Sequence, residues 1–353
     1  MRIVHLIKHC NHAHGNAHVA IDLACVQSMQ GHAVVYASAG GDYEELLASH
    51  GVNVERIDQS GRSLVTILQA IGQLVRLCKQ REPDVIHAHM MSSAVFGYVV
   101  SMMTGIPLMT TVHNSFDRHS ILMRLGRIVV AVSAAERELL TKRGFKSEQL
   151  VTIINGPNRS PREKWHSGDV ELAWATPSVA MVCGLHQRKG VHDVISAFSH
   201  LHSDFPQWHL NVVGDGPDRA KLEAFTERLG ASKFTHFLGS IRAPQSILRK
   251  SAIFVSASYA EPCSLSTSEA RDAGCAIVAS AVGGTPELLE QGKAGRLVQP
   301  GHPEQLESEL RRLMSDPNEL RAWQVRSKTG ADYFNVFRLA DDYQRVYERL
   351  WQL

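Results

Sequence analysis

Residues 259–286 read YAEPCSLSTSEARDAGCAIVASAVGGTP. The run Ile253–Ser256 before this stretch and Ala276–Ala279 inside it are short and apolar, and both read as buried strands. Glu261 follows the first strand and precedes Pro262, so it sits in a loop at a strand's carboxyl end. Ser264 or Ser266 can cap a helix that begins there, and Glu269 then lies in that helix's first turns. The pattern gathers two carboxylates, with seven residues between them, around the free N–H groups of a helix start. Such N–H groups, with the positive end of the helix dipole, suit a diphosphate. Carboxylates suit vicinal hydroxyls, because each can accept two hydrogen bonds. On spacing alone, surface or capping carboxylates fit the two glutamates equally well.

Outward from this stretch, strands and helices alternate along the whole chain. In the first half, strands are expected at Arg2–Lys8, Ala33–Ser38, Val52–Ile57, Asp84–His87, Leu108–Val112 and Ile128–Val132, with helices between them, among them Ala17–Met29 and Leu64–Lys79. Alternation stops between Asn158 and Thr176, a polar, aperiodic stretch that reads as an interdomain linker. It restarts with Ser178–Cys183, Val191–Leu201, His209–Val213, Ala220–Leu229 and Phe234–Leu238, and from Pro303 the pattern is helical with a break at Pro317. This is the signature of two parallel sheets in tandem, each covered on both faces. Ligands of such sheets bind at the carboxyl ends of the strands. The boundaries are 1–165 for the first domain, 166–177 for the linker and 178–335 for the second, with a final helix over 336–353 expected to pack back on the first.

Composition narrows the class. The chain has 353 residues, 44% hydrophobic, enough to bury two cores. The formal net charge is +2, without the basic excess of a nucleic-acid binder. Six dispersed cysteines and no C-x-x-C pair point to reduced thiols and a cytoplasmic setting. The N-terminal apolar run is too short for a signal peptide, and no window is long enough to span a bilayer. The expectation is a cytoplasmic protein, at most peripheral to a membrane.

The ordered motifs resemble those of the retaining glycosyltransferases of family 4, also called group 1, with GT-B architecture. They are Glu261-Pro262-Cys263-Ser264-Leu265 to Glu269-Ala270, Ala273-Gly274, Val282-Gly283-Gly284-Thr285-Pro286-Glu287, Val213-Gly214-Asp215-Gly216-Pro217, Phe237-Leu238-Gly239 and Lys189-Gly190. Thr111-Val112-His113-Asn114, Ala131-Val132-Ser133 and Ile154-Asn155-Gly156 extend the likeness through the first half. The resemblance implies an α/β fold of two Rossmann-like domains with a cleft between them, acceptor on the first and nucleotide-sugar donor on the second. It implies that Glu269 binds the donor ribose, that Glu261 contacts the transferred sugar, and that the N–H groups of Ser264 and Leu265 meet the diphosphate. Lys189 becomes the cation on the leaving diphosphate, stabilising the charge that builds there. His113 matches a family histidine near the transferred sugar, and Gly214 and Gly239 lie in matched donor-side turns.

Three departures accompany the likeness. Leu185 follows Gly184 where the family often has Arg; either Arg188, next to Lys189, supplies the missing charge, or the segment is one residue shorter. Cys263 and Ser264 are smaller and more polar than the usual Phe-Gly. The glycine pair after the first strand is here Gly15-Asn16, assigned with His14 to the acceptor or phosphate side. Gly214-x-Gly216 lacks the third glycine of a dinucleotide fingerprint, because Arg219 stands there, which argues against a dehydrogenase.

Histidine is unusually frequent, at 19. His9, His12, His14 and His18 follow the first strand, and His87, His89 and His113 lie at the ends of two others, so all seven are candidates for one face. A metal site at His-x-His spacing lacks a cysteine or carboxylate partner, and the family resembled works without metal. No metal and no cofactor are therefore expected, and the histidines are candidates for an anionic or hydroxyl-rich acceptor. The basic stretch Arg118–Lys146 reads mainly as a solvated helical face, with contact to anionic lipid near a lipid-linked acceptor as the alternative. The expected partners are a nucleoside-diphosphate sugar and a glycan or lipid-linked acceptor. Two other functions remain open: a sugar-nucleotide epimerase of the same architecture, and a nucleotide-sugar binder without catalysis.

Overall fold

A computed structural model describes residues 1–12, 14–61, 63–165 and 177–350. The chain divides into two compact units, Met1–Trp165 with Phe334–Leu353, and His166–Tyr333. The linker expected at 166–177 lies almost wholly outside the described residues.

The first unit holds seven parallel strands: β1 (Arg2–Leu6), β2 (Ala33–Ser38), β3 (Asn53–Arg56), β4 (Val85–Ala88), β5 (Leu108–Val112), β6 (Ile128–Ala131) and β7 (Leu150–Thr152). Their order is β3-β2-β1-β4-β5-β6-β7. Chain order reverses between β1 and β4, which pair with His5 opposite His87. Side chains alternate across the sheet. Val4, Leu6, Ile86, Ala88, Leu108 and Val112 enter an apolar core. The intervening positions His5, His87 and Thr111 point to the other face, where the helices Gly15–Met29 and Val336–Leu350 meet them through Gln27, Tyr343 and Tyr347.

The second unit has six parallel strands: β8 (Ser178–Val182), β9 (His209–Val213), β10 (Thr235–Gly239), β11 (Ile253–Ser256), β12 (Ala276–Ser280) and β13 (Arg296–Val298). Their order is β10-β9-β8-β11-β12-β13, again reversing in the middle, between β8 and β11. Val179, Met181, Ile253 and Val255 pack on one face with the helix Val191–Leu201. Ala180 and Phe254 pack on the other, against Ala270 of the helix Leu265–Ala273. Each large side chain buried this way contributes about 2 kcal/mol.

Several sequence expectations need correction. The strands Leu150–Thr152 and Arg296–Val298 went unread, because three-residue edge strands carry no usable period. Much of 158–162 is packed rather than a polar connector. Asn158, Ser160 and Arg162 are buried, and the Arg162 guanidinium forms a two-point ion pair with Asp22 (2.8 Å at both contacts), neither side chain more than 3% exposed. The stretch 118–146 is not one helical face. It comprises a 3-10 turn (Arg118–Leu125), strand β6 and the helix Ala134–Lys142, so its basic residues diverge. Among the described residues no helix is long and apolar enough to cross a membrane.

Candidate functional site

In the second unit the candidate residues sit in the loops after β8 and β11, the two strands at which the sheet order reverses. A crevice forms outside the carboxyl ends of strands at such a point. The β8 loop runs through Cys183 and Leu185 into a 3-10 turn, Gln187–Lys189, closed by Gly190. Gly190 has φ +64°, and a Cβ there would stand 2.0 Å from the carbonyl oxygen of Ala257. The turn therefore rests directly on the β11 loop. Tyr259 N–H donates to the Arg188 carbonyl (2.8 Å), and the Arg188 guanidinium donates to the Ala260 carbonyl (2.8 Å). The charge expected to substitute for the family arginine is thus tied to the glutamate's own loop.

That double attachment brings the Lys189 ammonium onto the Glu261 carboxylate as an ion pair, with the side chains 17% and 8% exposed. Ser258 Oγ adds a long contact to the same carboxylate oxygen (3.4 Å). Cys183 lies close to this pair, and burial pushes its thiol up to about 12, so it stays protonated. Ser264 is the helix cap, its Oγ accepting from Thr267 N–H (3.2 Å), which is worth about 1 kcal/mol. The N–H groups at the start of the helix, including that of Leu265, have no partner within a helix by construction. Glu269 lies one turn further on. It is 7% exposed, and its Oε1 accepts from Gln245 Nε2 (3.0 Å).

The paired glycines hold this loop from the other side. Gly284 N–H donates to the carbonyls of Glu261 (3.2 Å) and Pro262 (3.1 Å). Gly214 and Gly239 are joined by a backbone hydrogen bond (2.7 Å), both with positive φ, and the Gly214 α-carbon abuts the Cys183 carbonyl. Their part is to let β9, β10 and the β8 loop approach. Arg219, at the absent third glycine, is paired with Asp215 and Glu223. A separate hollow of about 510 Å³ is lined by His186, His192, Asp218, Lys221, Arg228 and Tyr259, among others, and by none of Lys189, Glu261 or Glu269.

In the first unit, His14 caps the helix Gly15–Met29 without a side-chain bond to its N–H groups, so Gly15 and Asn16 are the first helical residues rather than a loop. His14 and Gly15 are exposed. His12 Nδ1 is paired with Asp42 (2.8 Å). The seven histidines do not share one open face. His87 and His89 are 0% and 2% exposed, built into a buried network, while His113 at the end of β5 keeps some ring exposure although its Nδ1 is buried. The network includes His5, which the sequence reading missed. Its signal was a lone histidine in the apolar run of β1, facing His87 across the pair.

Among the described residues, His5, His87 and His89 bring ring nitrogens within 4.8 Å of one another, the spacing a metal ion needs. Both nitrogens of His87 are already hydrogen-bonded, to Tyr347 (2.8 Å) and Thr111 (2.7 Å), so coordination there would break a buried hydrogen bond. Burial holds His5 and His113 down at about 4, with the Gln27 hydrogen bond opposing part of that for His5. Burial likewise keeps His87 and His89 well below the usual histidine value.

Two parallel-sheet units with such loops define a GT-B protein. The solved structure of Anabaena HepE in complex with UDP and glucose has this fold, with a TM-score of 0.83, 22% identity and full coverage of both chains. Residues 173–329 match the family described as glycosyl transferases group 1, and residues 14–160 match glycosyltransferase family 4. The chain belongs to this glycosyltransferase family. A Mycobacterium tuberculosis glycogen synthase is 26% identical over 270 residues, a match spanning 71% of this chain and 65% of that protein. A Haemophilus influenzae glycosyltransferase is 20% identical over 357 residues, covering 98% and 99%.

Proposed function

We propose that the protein is a retaining, metal-independent glycosyltransferase that moves a sugar from a nucleoside-diphosphate donor to a hydroxyl acceptor in cell-surface polysaccharide, lipopolysaccharide or glycolipid synthesis. The observation that carries this reading is the Lys189–Glu261 ion pair set beside the capped helix start that leads to Glu269. One cation, two nearly buried carboxylates and a set of helix-start N–H groups match the charges of a nucleotide sugar: diphosphate, ribose diol and hexose hydroxyls.

The diphosphate rests on the N–H groups of Ser264 and Leu265, and Glu269 accepts from the ribose hydroxyls. Glu261 orients the transferred sugar. Lys189 meets the leaving diphosphate as negative charge develops on it. The acceptor hydroxyl attacks the anomeric carbon, the bond to the leaving phosphate oxygen breaks, and that oxygen takes the acceptor's proton. No side chain acts as nucleophile and no step calls on a metal. His113 and the segment His14-Gly15-Asn16 belong to the sugar and acceptor side. In support, Anabaena HepE was solved with UDP and glucose.

The test is a panel of uridine, guanosine and adenosine diphosphate sugars. One donor should raise the melting temperature and slowly release free nucleoside diphosphate, because transferases hydrolyse donor when no acceptor is present. Release of an isomerised sugar nucleotide would establish an epimerase. Binding without turnover under any acceptor condition would establish a non-catalytic binder.

A further inference from the structure

The buried side chains of the first unit form one continuous hydrogen-bonded chain that ends on His113. Gln27 Oε1 meets His5 Nε2 (2.7 Å), His5 Nδ1 meets His89 Nε2 (2.9 Å), and His89 Nδ1 meets His113 Nε2 (3.1 Å). A branch leaves the other end of the amide. Gln27 Nε2 meets Tyr347 Oη (3.3 Å), Tyr347 Oη meets His87 Nδ1, and His87 Nε2 meets Thr111 Oγ1. The three histidines of the main chain are stacked or hydrogen-bonded in sequence from β1 through β4 to β5.

Each ring is neutral at physiological pH, since burial depresses all four histidines. A neutral imidazole carries one N–H and one lone pair. In a linear chain of such rings, the direction of the first hydrogen bond therefore sets the direction of all the rest. Two directions are self-consistent. If His5 donates to Gln27, then His89 donates to His5 and His113 donates to His89, which leaves a lone pair on His113 Nδ1. If Gln27 donates to His5, every bond reverses and His113 Nδ1 carries an N–H. That nitrogen is buried and has no hydrogen-bond partner among the described residues. An orphaned buried N–H is rarer and more costly than an orphaned acceptor, so the first direction wins. The branch agrees: the amide then donates to Tyr347, Tyr347 to His87, and His87 to Thr111.

We propose that Gln27, His5 and His89 are positioning residues that lock His113 as the Nε2–H tautomer, so that its Nδ1 is an acceptor only. A reacting sugar meeting that nitrogen must donate a hydroxyl proton to it, and a sugar offering only an acceptor there is rejected. This consequence for substrates rests on the reading of His113 given under the proposed function. The tautomer does not.

The experiment is long-range proton–nitrogen correlation NMR of the uniformly ¹⁵N-labelled full chain, at pH 7 and without substrate. His113, His89 and His5 should each show a protonated Nε2 and an unprotonated Nδ1. A protonated Nδ1 on His113 overturns the proposal, whatever the enzyme's activity. So does a shift of the His5, His87 and His89 nitrogens on adding one equivalent of zinc, which would mark the cluster as a metal site. Gln27→Met keeps the side-chain length and removes the director. It should give mixed tautomers at His113 and lower kcat about tenfold, the worth of one hydrogen bond, with the donor KM little changed. Retention of the single wild-type tautomer in that variant also overturns the proposal. If no donor turns over, the NMR result still decides the tautomer, while the functional reading fails separately.

Discussion

The α-carbon of Gly283 lies so close to Glu261 that a Cβ there would stand 1.8 Å from the glutamate's carbonyl oxygen. Gly283 also holds φ at +50°, in the left-handed region that side chains disfavour. The glycine pair and the carboxylate loop are thus one mechanical unit, although 22 positions separate the two residues in the numbering.

Gly283→Ala should therefore displace the Glu261 loop rather than be absorbed. The expected outcome is loss of the thermal shift produced by whichever donor the nucleotide-sugar panel selects, with a stability loss of about 2 kcal/mol, since strain and collision with backbone add. Gly72, in the helix Leu64–Arg81, has nothing within 4 Å of its Cβ position. Gly72→Ala should stabilise by roughly 0.5–1 kcal/mol and leave that donor's thermal shift intact. Equal effects of the two alanines on calorimetric melting and ligand shift would contradict the coupling.

Lys189→Met should be more costly to the apo protein than an ordinary surface change. It leaves the Glu261 carboxylate nearly buried without its counter-charge, a loss of roughly 3 kcal/mol. Lys189→Met with Glu261→Leu removes both charges and should recover most of that stability while donor turnover stays absent. Denaturant titration of the four-member cycle measures the coupling, and additive single losses would show that the pair is not coupled.

Glu269→Gln keeps the side-chain shape and the neighbourhood of Gln245 but removes the charge. Loss of charge-assisted hydrogen bonds to a ribose diol costs roughly 1.5–3 kcal/mol, so affinity for the nucleoside diphosphate of the donor selected by the panel should fall about tenfold to a hundredfold. Calorimetric titration checks this. Unchanged affinity would take Glu269 out of the nucleotide site.

Acid should weaken the first unit through its histidines. Buried in the folded chain, His5 and His113 titrate at about 4 instead of 6.5, and His87 and His89 well below their ordinary value. Above pH 6.5 neither folded nor unfolded chain binds these protons, and the network contributes fully. As pH falls from 6.5 towards 4, the unfolded chain takes up protons that the folded unit refuses, so stability declines. Each such histidine adds a slope of about 1.4 kcal/mol per pH unit in that window. The urea midpoint should drop between pH 7 and pH 5, and less steeply in His5→Gln. Parallel profiles for the two proteins would show that His5 is not buried in neutral form.

The elements of the second unit's candidate site were readable because their signals are local. The strand Ile253–Ser256, the serine cap at Ser264, the helix carrying Glu269 and the glycines at 283–284 fall within about thirty consecutive positions, and each follows from backbone sterics or capping. The three-residue edge strands were not readable, having too few residues for a period. Nor was the packing of residues 158–162, because a polar stretch reads as solvated until Asp22 is known to sit opposite Arg162.

By itself, then, the sequence determined two alternating strand–helix units and the loop chemistry at the ends of their central strands. Tertiary structure alone decided which histidines would be neighbours. His5 and His87 look unrelated along the chain, and they meet because β1, paired with β2 on one side, pairs on its other side with β4, a strand some eighty residues away. Gln27 and Tyr347 meet across 320 residues. Hydrophobic period fixes which face a side chain takes, and it is the same for every strand order. The order itself comes from helices packing on both faces of the open sheet, a property no short window of residues contains.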